Sequence, residues 1–356
     1  MIRKGDNMRI LFAVLIALLA VAIGDANAMG RVLTYSDHEP LGNMRTAFLN
    51  DVFFKNIEKE SHGRLKIETH WNSELSTGYD ALKKTKDGTL DMAVIVPEYD
   101  AANMPLHQLF KSFPLGPSGK KQVEFLSTIY RDISVLQEEL DKQSLVPVYV
   151  AMGYPVAFYS TSPIEDLTDL KNKKFRTASF WHQDQLKAVG AIPVKIPWGD
   201  QVYDALKKKE LDGLMVNVDS GYDINAHEVA TYILTSKKLW LGHIYVISMN
   251  KDVWGSLSKD DKAAIKNAAD ASYKSMGSFA DKAFEWQIKE LKKSNAKVRI
   301  LTDKELLQWK QAVNFKEIQN QWIEKNTLLD KTVIEDVRNS IQEKLNSYDT
   351  NLRETD

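Results

Sequence analysis

The feature that most restricts the fold is a double round of alternation between short β-rich runs and helical stretches. Strand-like runs at 32–36, 65–71, 91–96 and 145–150 are separated by stretches around 43–61, 79–86 and 121–141 whose apolar residues recur at spacings of three and four. Alternation of this kind builds βαβ units and a largely parallel sheet. Ser61-His62-Gly63 ends the first helical stretch, with Gly63 where a left-handed cap belongs. After Tyr154 the pattern restarts: strand runs at 157–160, 174–177, 193–196, 214–217 and 231–235 flank helices at 181–189 and 200–208. Two lobes are therefore expected. Residues 244–249 form a further strand whose place is the first sheet, so the chain crosses between lobes more than once. Ser258, with Asp261 three residues later, opens a long helix in the manner of a capping arrangement. Its apolar residues, from Ile265 through Met276 and Phe284 to Leu291, hold one face as far as Lys293. At 1.5 Å per residue it would span about 50 Å, enough to lie along both lobes, unless Gly277 bends it. A strand at 297–301 and helices at 304–325 and 333–347 follow.

The amino terminus says where such a chain works. Arg3, Lys4 and Arg9 precede an apolar run from Ile10 to Ile23, and then Ala26-Asn27-Ala28 supplies the small-x-small pattern of a signal peptidase site. The run is shorter than the roughly 20 apolar residues of a bilayer-spanning helix. Residues 1–28 therefore read as a cleaved signal peptide, and the mature protein is expected in the periplasm. The chain has no cysteine, which removes disulfides, thiolate zinc sites, iron–sulfur clusters, thiol nucleophiles and a thioether lipid anchor. About 325 residues would remain after cleavage, more than one core usually serves, a second argument for two lobes. With 47 basic against 48 acidic residues the formal net charge is −1, so neither nucleic acid nor an anionic membrane surface is expected as a partner.

Three stretches carry a resemblance. The first is Glu74-Leu75-Ser76, then Leu82, then Asp87-Gly88-Thr89-Leu90-Asp91-Met92-Ala93. The second is Asp166-Leu167-Thr168-Asp169-Leu170-Lys171-Asn172-Lys173-Lys174-Phe175-Arg176. The third runs from Gly190-Ala191-Ile192-Pro193-Val194 through Pro197-Trp198-Gly199-Asp200 to Leu211-Asp212-Gly213. In this order and spacing they resemble the DctP-like solute-binding proteins of tripartite ATP-independent periplasmic (TRAP) transporters. The resemblance implies an α/β, two-lobed periplasmic binding protein fold, type II-like, with a lobe-spanning helix and a small organic anion held between the lobes. It also implies two membrane subunits as partners, one small and one large. Together with the alternation it divides the chain into a first lobe of 29–152 plus 243–300, a second lobe of 153–242 plus 301–347, and a polar tail at 348–356. A monomer and a homodimer both remain open.

Arg176 has its own case. It ends a strand and precedes the loop Thr177-Ala178-Ser179, and ligands of open α/β sheets gather at the carboxyl ends of strands. Its guanidinium stays charged and offers two parallel donors to a carboxylate. In the family the resemblance points to, the matching arginine anchors the ligand. Trp198 falls where that family places an aromatic against the ligand, and Asn217 falls one residue past a family asparagine that hydrogen-bonds it. Sialic-acid-binding members carry a further arginine and an acid where this chain has Gly153-Tyr154-Pro155-Val156 and Val96-Pro97. With Tyr99, Phe158, Phe180, Trp181 and Tyr222 nearby, the expectation is a compact monoanion with a modest apolar part: a short carboxylate, a keto acid or a sulfonate.

Nothing in the chain reads as an enzyme. It lacks a G-x-S-x-G elbow, an H-E-x-x-H helix and a phosphate-cradling glycine loop, and its seven histidines are scattered. His38-Glu39 and His182-Gln183-Asp184 are the close histidine–acid pairs, and both read as polar residues of the surface or the pocket edge, with His38 kept as a ligand-contact candidate. No cofactor and no metal are expected. A binding protein of an ATP-driven importer, a chemoreceptor ligand carrier and a secreted lyase or hydrolase are the other readings.

Overall fold

The computed structural model describes residues 30–239 and 244–348; the expectations for the signal segment 1–28, for the tail beyond residue 348 and for the lobe boundary at 242–243 lie outside the described residues. Within them the strands are β1 (Arg31–Ser36), β2 (Leu65–His70), β3 (Met92–Ile95), β4 (Leu145–Met152), β5 (Val156–Ser160), β6 (Lys174–Arg176), β7 (Ile192–Val194), β8 (Gly213–Asn217), β9 (Tyr232–Thr235), β10 (Ile244–Asn250) and β11 (Lys297–Ile300). They form two mixed sheets, one in the order β2-β1-β3-β10-β4 and the other in the order β11-β9-β5-β8-β6-β7. In the first, β1 runs parallel to β2 and β3, while β10 returns antiparallel between β3 and β4. In the second, β5 is antiparallel to both β8 and β9. Strands β3, β5 and β10 are buried along their whole length, which is why they read as continuous apolar runs rather than alternating ones.

The two sheets are the cores of two lobes. The chain passes from the first to the second through Gly153-Tyr154-Pro155, between β4 and β5, and returns between β9 and β10. The helix Lys259–Lys293 joins them a third time. The Ser258 hydroxyl accepts from the Asp261 backbone N–H at 3.0 Å at its start, and Arg64 Nε donates to Asp261 at 2.9 Å. The helix runs straight through Gly277 because that glycine serves packing rather than bending. A Cβ there would lie 2.8 Å from the backbone nitrogen of Lys120 and 2.9 Å from its Cα, so the bare backbone lets the helix Gly119–Asp132 approach.

Several expected boundaries move. β11 was assigned to the first lobe's second segment, 243–300, but it pairs in parallel with β9 and extends the second sheet, because the end of the long helix delivers the chain to the free edge of β9. The carboxyl-terminal helices were assigned to the second lobe. Asp303–Ala312 does pack there, with Trp309 edge-on to Phe158 at 5.4 Å. Lys331–Tyr348 instead packs on Gly119–Asp132, where Lys344 pairs with Asp132, and Tyr348 ends that helix rather than starting a tail. The helix expected at 121–141 breaks at Ile133, whose φ of −129° and ψ of 78° leave the helical region. The one expected at 304–325 breaks at Asn314, which is left-handed with φ 47°.

Candidate functional site

Between the lobes lies a cavity whose empty space, counted with the solvent at its mouth, is about 430 Å3. Glu39, Glu98, Tyr99 and Lys111 line it from the first lobe, and Val156, the stretch from Arg176 to Ser179, His182, Trp198, the end of β8 and Ser220 line it from the second. The cavity sits where β1, β3, β6 and β8 end, so residues just beyond these strands converge on it from both sheets.

Arg176, the last residue of β6, is almost fully buried. Its Nε donates to the Ile196 carbonyl at 2.9 Å, while its Nη2 has no hydrogen-bond partner. Its guanidinium carbon lies 5.2 Å from the centre of the Trp198 ring, close enough for a cation–π contact. Burial lowers its pKa, and Tyr99, Tyr79 and Glu98 act the other way; a guanidinium under these conditions remains charged. A buried charged donor without an acceptor is costly, of order 1–3 kcal/mol for a neutral group and more for a charge. It persists where something else is meant to receive it.

Two further cations are already paired. Lys111 forms a buried ion pair with Glu98, yet burial still pushes its pKa down to about 8, against the opposing pull of Glu98. Lys111 is placed by the 3-10 segment Leu106–Ser112, which the buried Glu139 carboxylate holds by accepting from Leu106 N at 2.8 Å, His107 N at 3.2 Å and His107 Nδ1 at 2.6 Å. In the first lobe, Arg45 makes a two-pronged pair with Asp37, Tyr35 donates to the same carboxylate at 2.7 Å, and the Arg45 guanidinium lies 4.1 Å from the Tyr245 ring centre. Burial of Asp37 favours its neutral form, but Arg45 outweighs it and the pKa is lowered.

Glu39 is different. It is buried, accepts from Asn43 Nδ2 at 3.2 Å, and has His38 Nε2 at 3.6 Å, beyond hydrogen-bond reach. Burial drives its pKa up, with Asp37 and Asp223 adding to the rise and His38 and Arg45 opposing it. Burial also lowers the His38 pKa and, together with Lys111, lowers that of His182. Asp219, buried across the cleft, is pushed well up by burial and then by Asp223 and Glu39. Asp223, one turn further along the helix Val218–Asp223, is raised to about 6 by burial.

Of the residues singled out in the sequence, Arg176, Trp198, Asn217 and Tyr99 are brought together around this cavity. Asn217, at the end of β8, donates to the Tyr245 hydroxyl at 3.4 Å, and Tyr99 stacks on Tyr79 at 4.5 Å. His38 lies behind the lining residues, with Tyr99 at 6.1 Å. Phe158 does not line it: its side chain points into the second lobe's core against Phe175 and Trp309. Phe180 packs on Trp181 and Trp322, with Trp181 fully buried, and Tyr222 stacks on His227 at 4.8 Å. These aromatics serve packing, so the cavity is more polar than expected. Glu39, read in the sequence with His38 as a polar residue of the surface or the pocket edge, lines the cavity, and Glu98 and Lys111 join it without having been singled out. Glu98 stands just past the end of β3, the same strand-end position that singled out Arg176, and Lys111 lies in a segment with no strand or helix period.

A larger hollow of about 600 Å3 runs along β9 and β11, lined by Pro163, Ile164 and Arg299 among others. Arg299 there is already paired with Glu305, so the hollow presents no unpaired buried charge. Among the described residues no group of three or more histidine or acidic side chains is placed to hold a metal ion, and no helix is long and apolar enough to cross a membrane.

Two lobes joined by three crossings, with a charged cavity between them, define the two-lobed binding-protein fold, and the solved structures that this chain resembles have the same fold. Residues 38–325 match the family described as bacterial extracellular solute-binding protein, family 7 (DctP), and the chain belongs to it. The ectoine/5-hydroxyectoine-binding periplasmic protein UehA of Ruegeria pomeroyi is 24% identical over 327 residues, covering 88% of this chain and 91% of that protein. Among structures, the Bordetella pertussis receptor DctP6, which binds pyroglutamic acid, superimposes with a TM-score of 0.72 at 17% identity, over 88% of this chain and 100% of that one. A TRAP solute-binding protein from Rhodoferax ferrireducens, in complex with copurified benzoate, gives a TM-score of 0.74 at 18% identity, over 88% and 98%.

Proposed function

We propose that this chain is exported to the periplasm, captures a small organic acid between its lobes, and hands it to the small and large membrane subunits of a TRAP transporter. The acid is a carboxylate, a keto acid or a sulfonate. The observation that carries this reading is the buried Arg176, which lines the cavity and whose Nη2 has no partner among the described residues. An anionic group there would satisfy the orphan donor and gain a charge-assisted, two-pronged bond. Trp198 covers the guanidinium, and Asn217 supplies a neutral polar group beside it. Contacts to residues of both lobes would shift the population towards the closed form.

The relatives support a small acid. UehA is named for ectoine, and the two structures hold pyroglutamic acid and benzoate, each a ring compound bearing a carboxylate. The test is native mass spectrometry of the purified protein, followed by denaturation to identify and quantify what it releases. One equivalent of an unchanged organic acid, absent from Arg176→Ala, is the expected result. A converted product, or capture of an uncharged compound, would point to an enzyme or to a different anchor.

A further inference from the structure

The charges around the cavity leave a remainder. Arg45 is neutralised by Asp37 and Lys111 by Glu98. Arg176 makes no ion pair with a carboxylate among the described residues, and its Nη2 is unpartnered although the residue is only 2% exposed. On the other wall Glu39, 8% exposed, has no lysine or arginine paired with it among the described residues. Its one hydrogen-bonding donor is the neutral amide of Asn43, on Oε2, and His38 stands beyond bonding distance from Oε1. Arg45, the nearest guanidinium, spends both terminal nitrogens on Asp37. Glu39 lines the cavity from the first lobe and Arg176 from the second, so the two unmatched groups belong to opposite walls of the same space. Asp219 and Asp223, contributed by the second lobe, add negative potential at the Glu39 end.

We propose that the cavity is built for a zwitterion: a compact ligand whose carboxylate lies on Arg176 and whose cationic nitrogen, bearing at least one N–H, donates to the open oxygen of Glu39. The proposal rests on the reading of Arg176 as a carboxylate anchor and narrows its substrate class. The carboxylates at this end come from both lobes, Glu39 from the loop after β1 and Asp219 and Asp223 from the helix Val218–Asp223 after β8. Bringing the lobes together concentrates like charge there, which disfavours closure by mutual repulsion. A cationic nitrogen removes that repulsion, so the ligand's positive pole favours closure as its negative pole favours capture. A simple monoanion would satisfy Arg176 and leave Glu39 buried without a partner. Burial, with neighbouring carboxylates adding to it, raises the pKa of Glu39 and of Asp219, and a cationic nitrogen placed beside them would favour their ionised forms.

Three ring carboxylates of similar size separate the cases by calorimetric titration: L-proline and ectoine, which carry a cationic nitrogen, and L-pyroglutamate, whose lactam N–H is neutral. The wild type is expected to bind proline or ectoine at least about tenfold more tightly than pyroglutamate, the range of one hydrogen bond to a charged group. Glu39→Gln keeps the side-chain shape and a partner for Asn43. It is expected to weaken the zwitterion by about tenfold or more and to leave pyroglutamate within about threefold. A melting curve by circular dichroism confirms that the variant is folded, and Asp223→Asn, which removes a carboxylate that acts on Glu39, gives a smaller drop of the same sign should Glu39→Gln fail to fold. Preference for pyroglutamate, or an unchanged ratio in Glu39→Gln, overturns the zwitterion assignment and leaves the carboxylate anchor standing. Failure of all three to bind also overturns it, and if benzoate and short keto acids fail as well, the carboxylate reading falls with it.

Discussion

Replacing Arg176 by methionine should improve the empty protein and ruin the loaded one. In the ligand-free state the substitution removes the Nε bond to the Ile196 carbonyl, worth about 1 kcal/mol net. It also removes a buried donor without an acceptor, which costs about 1–3 kcal/mol, and a guanidinium whose lowered pKa shows that burial works against its charge. Methionine fills much of the same volume with an adaptable apolar chain. The balance is a gain of about 0–2 kcal/mol. At about 2–4 °C per kcal/mol for a unit of lobe size, the ligand-free melting temperature should stay level or rise by up to about 8 °C. With ligand the order reverses. At a hundred times its Kd a ligand stabilises the wild type by about 2.7 kcal/mol. Truncating one partner of a buried charge pair costs about 2–5 kcal/mol of affinity, so at the same concentration the variant should keep at most about a third of the stabilisation. Differential scanning fluorimetry with whichever acid most raises the wild-type melting temperature reads both effects in one experiment. A variant that keeps the wild-type shift would place the anchor elsewhere. A ligand-free melting temperature lower by more than about 5 °C would make Arg176 a structural residue and refute the charge argument outright.

Glu139→Ala should destabilise the fold by about 3–5 kcal/mol in urea titrations, because it strands the backbone donors of Leu106 and His107 together with the His107 ring; it should also weaken binding by loosening the segment that carries Lys111. Glu305 is acted on by burial in the upward direction, but the Thr302 backbone, Arg299 and the Thr302 hydroxyl hold its pKa down to about 2 against the usual 4.5. Its contribution is therefore complete above about pH 4.5 and is lost as pH falls towards 2, so Glu305→Gln should flatten stability against pH across that window and leave its neighbours' acid transitions in place. Gly277→Ala would drive a Cβ into the Lys120 backbone and should lower the melting temperature, whereas Gly255→Ala, on a helix with nothing within 4 Å of the added carbon, should raise stability by about 0.5–1 kcal/mol. Equal effects of the two substitutions would show that Gly277 has no packing role.

The strands were legible because both lobes obey one local rule, in which short apolar runs bounded by turn residues alternate with helical periodicity. What the pattern could not carry was sheet membership. β11 lies within a few residues of a helix end that both lobes share, and only the free edge of β9 decides where it pairs. The site divides along the same line. Arg176 could be read because its strand end, loop and motif are contiguous in the chain. Phe158, Phe180 and Tyr222 could not be sorted between pocket and core, since a strand or helix of either lobe presents aromatics to both; the partners of Phe158 and Phe180 lie well along the chain, while Tyr222 stacks on the nearby His227. The roles of Glu39 and Lys111 could not be read for a further reason: what matters about them is the charge left over after pairing. That balance exists only once Asp37 has taken Arg45 and Glu98 has taken Lys111. A net charge of −1 averaged over the chain hides it, because matched pairs and unmatched groups contribute to that sum alike. In a binding protein the specificity therefore lies in the unmatched residue of each wall, and the identity of the ligand follows from which charges the fold leaves unpaired.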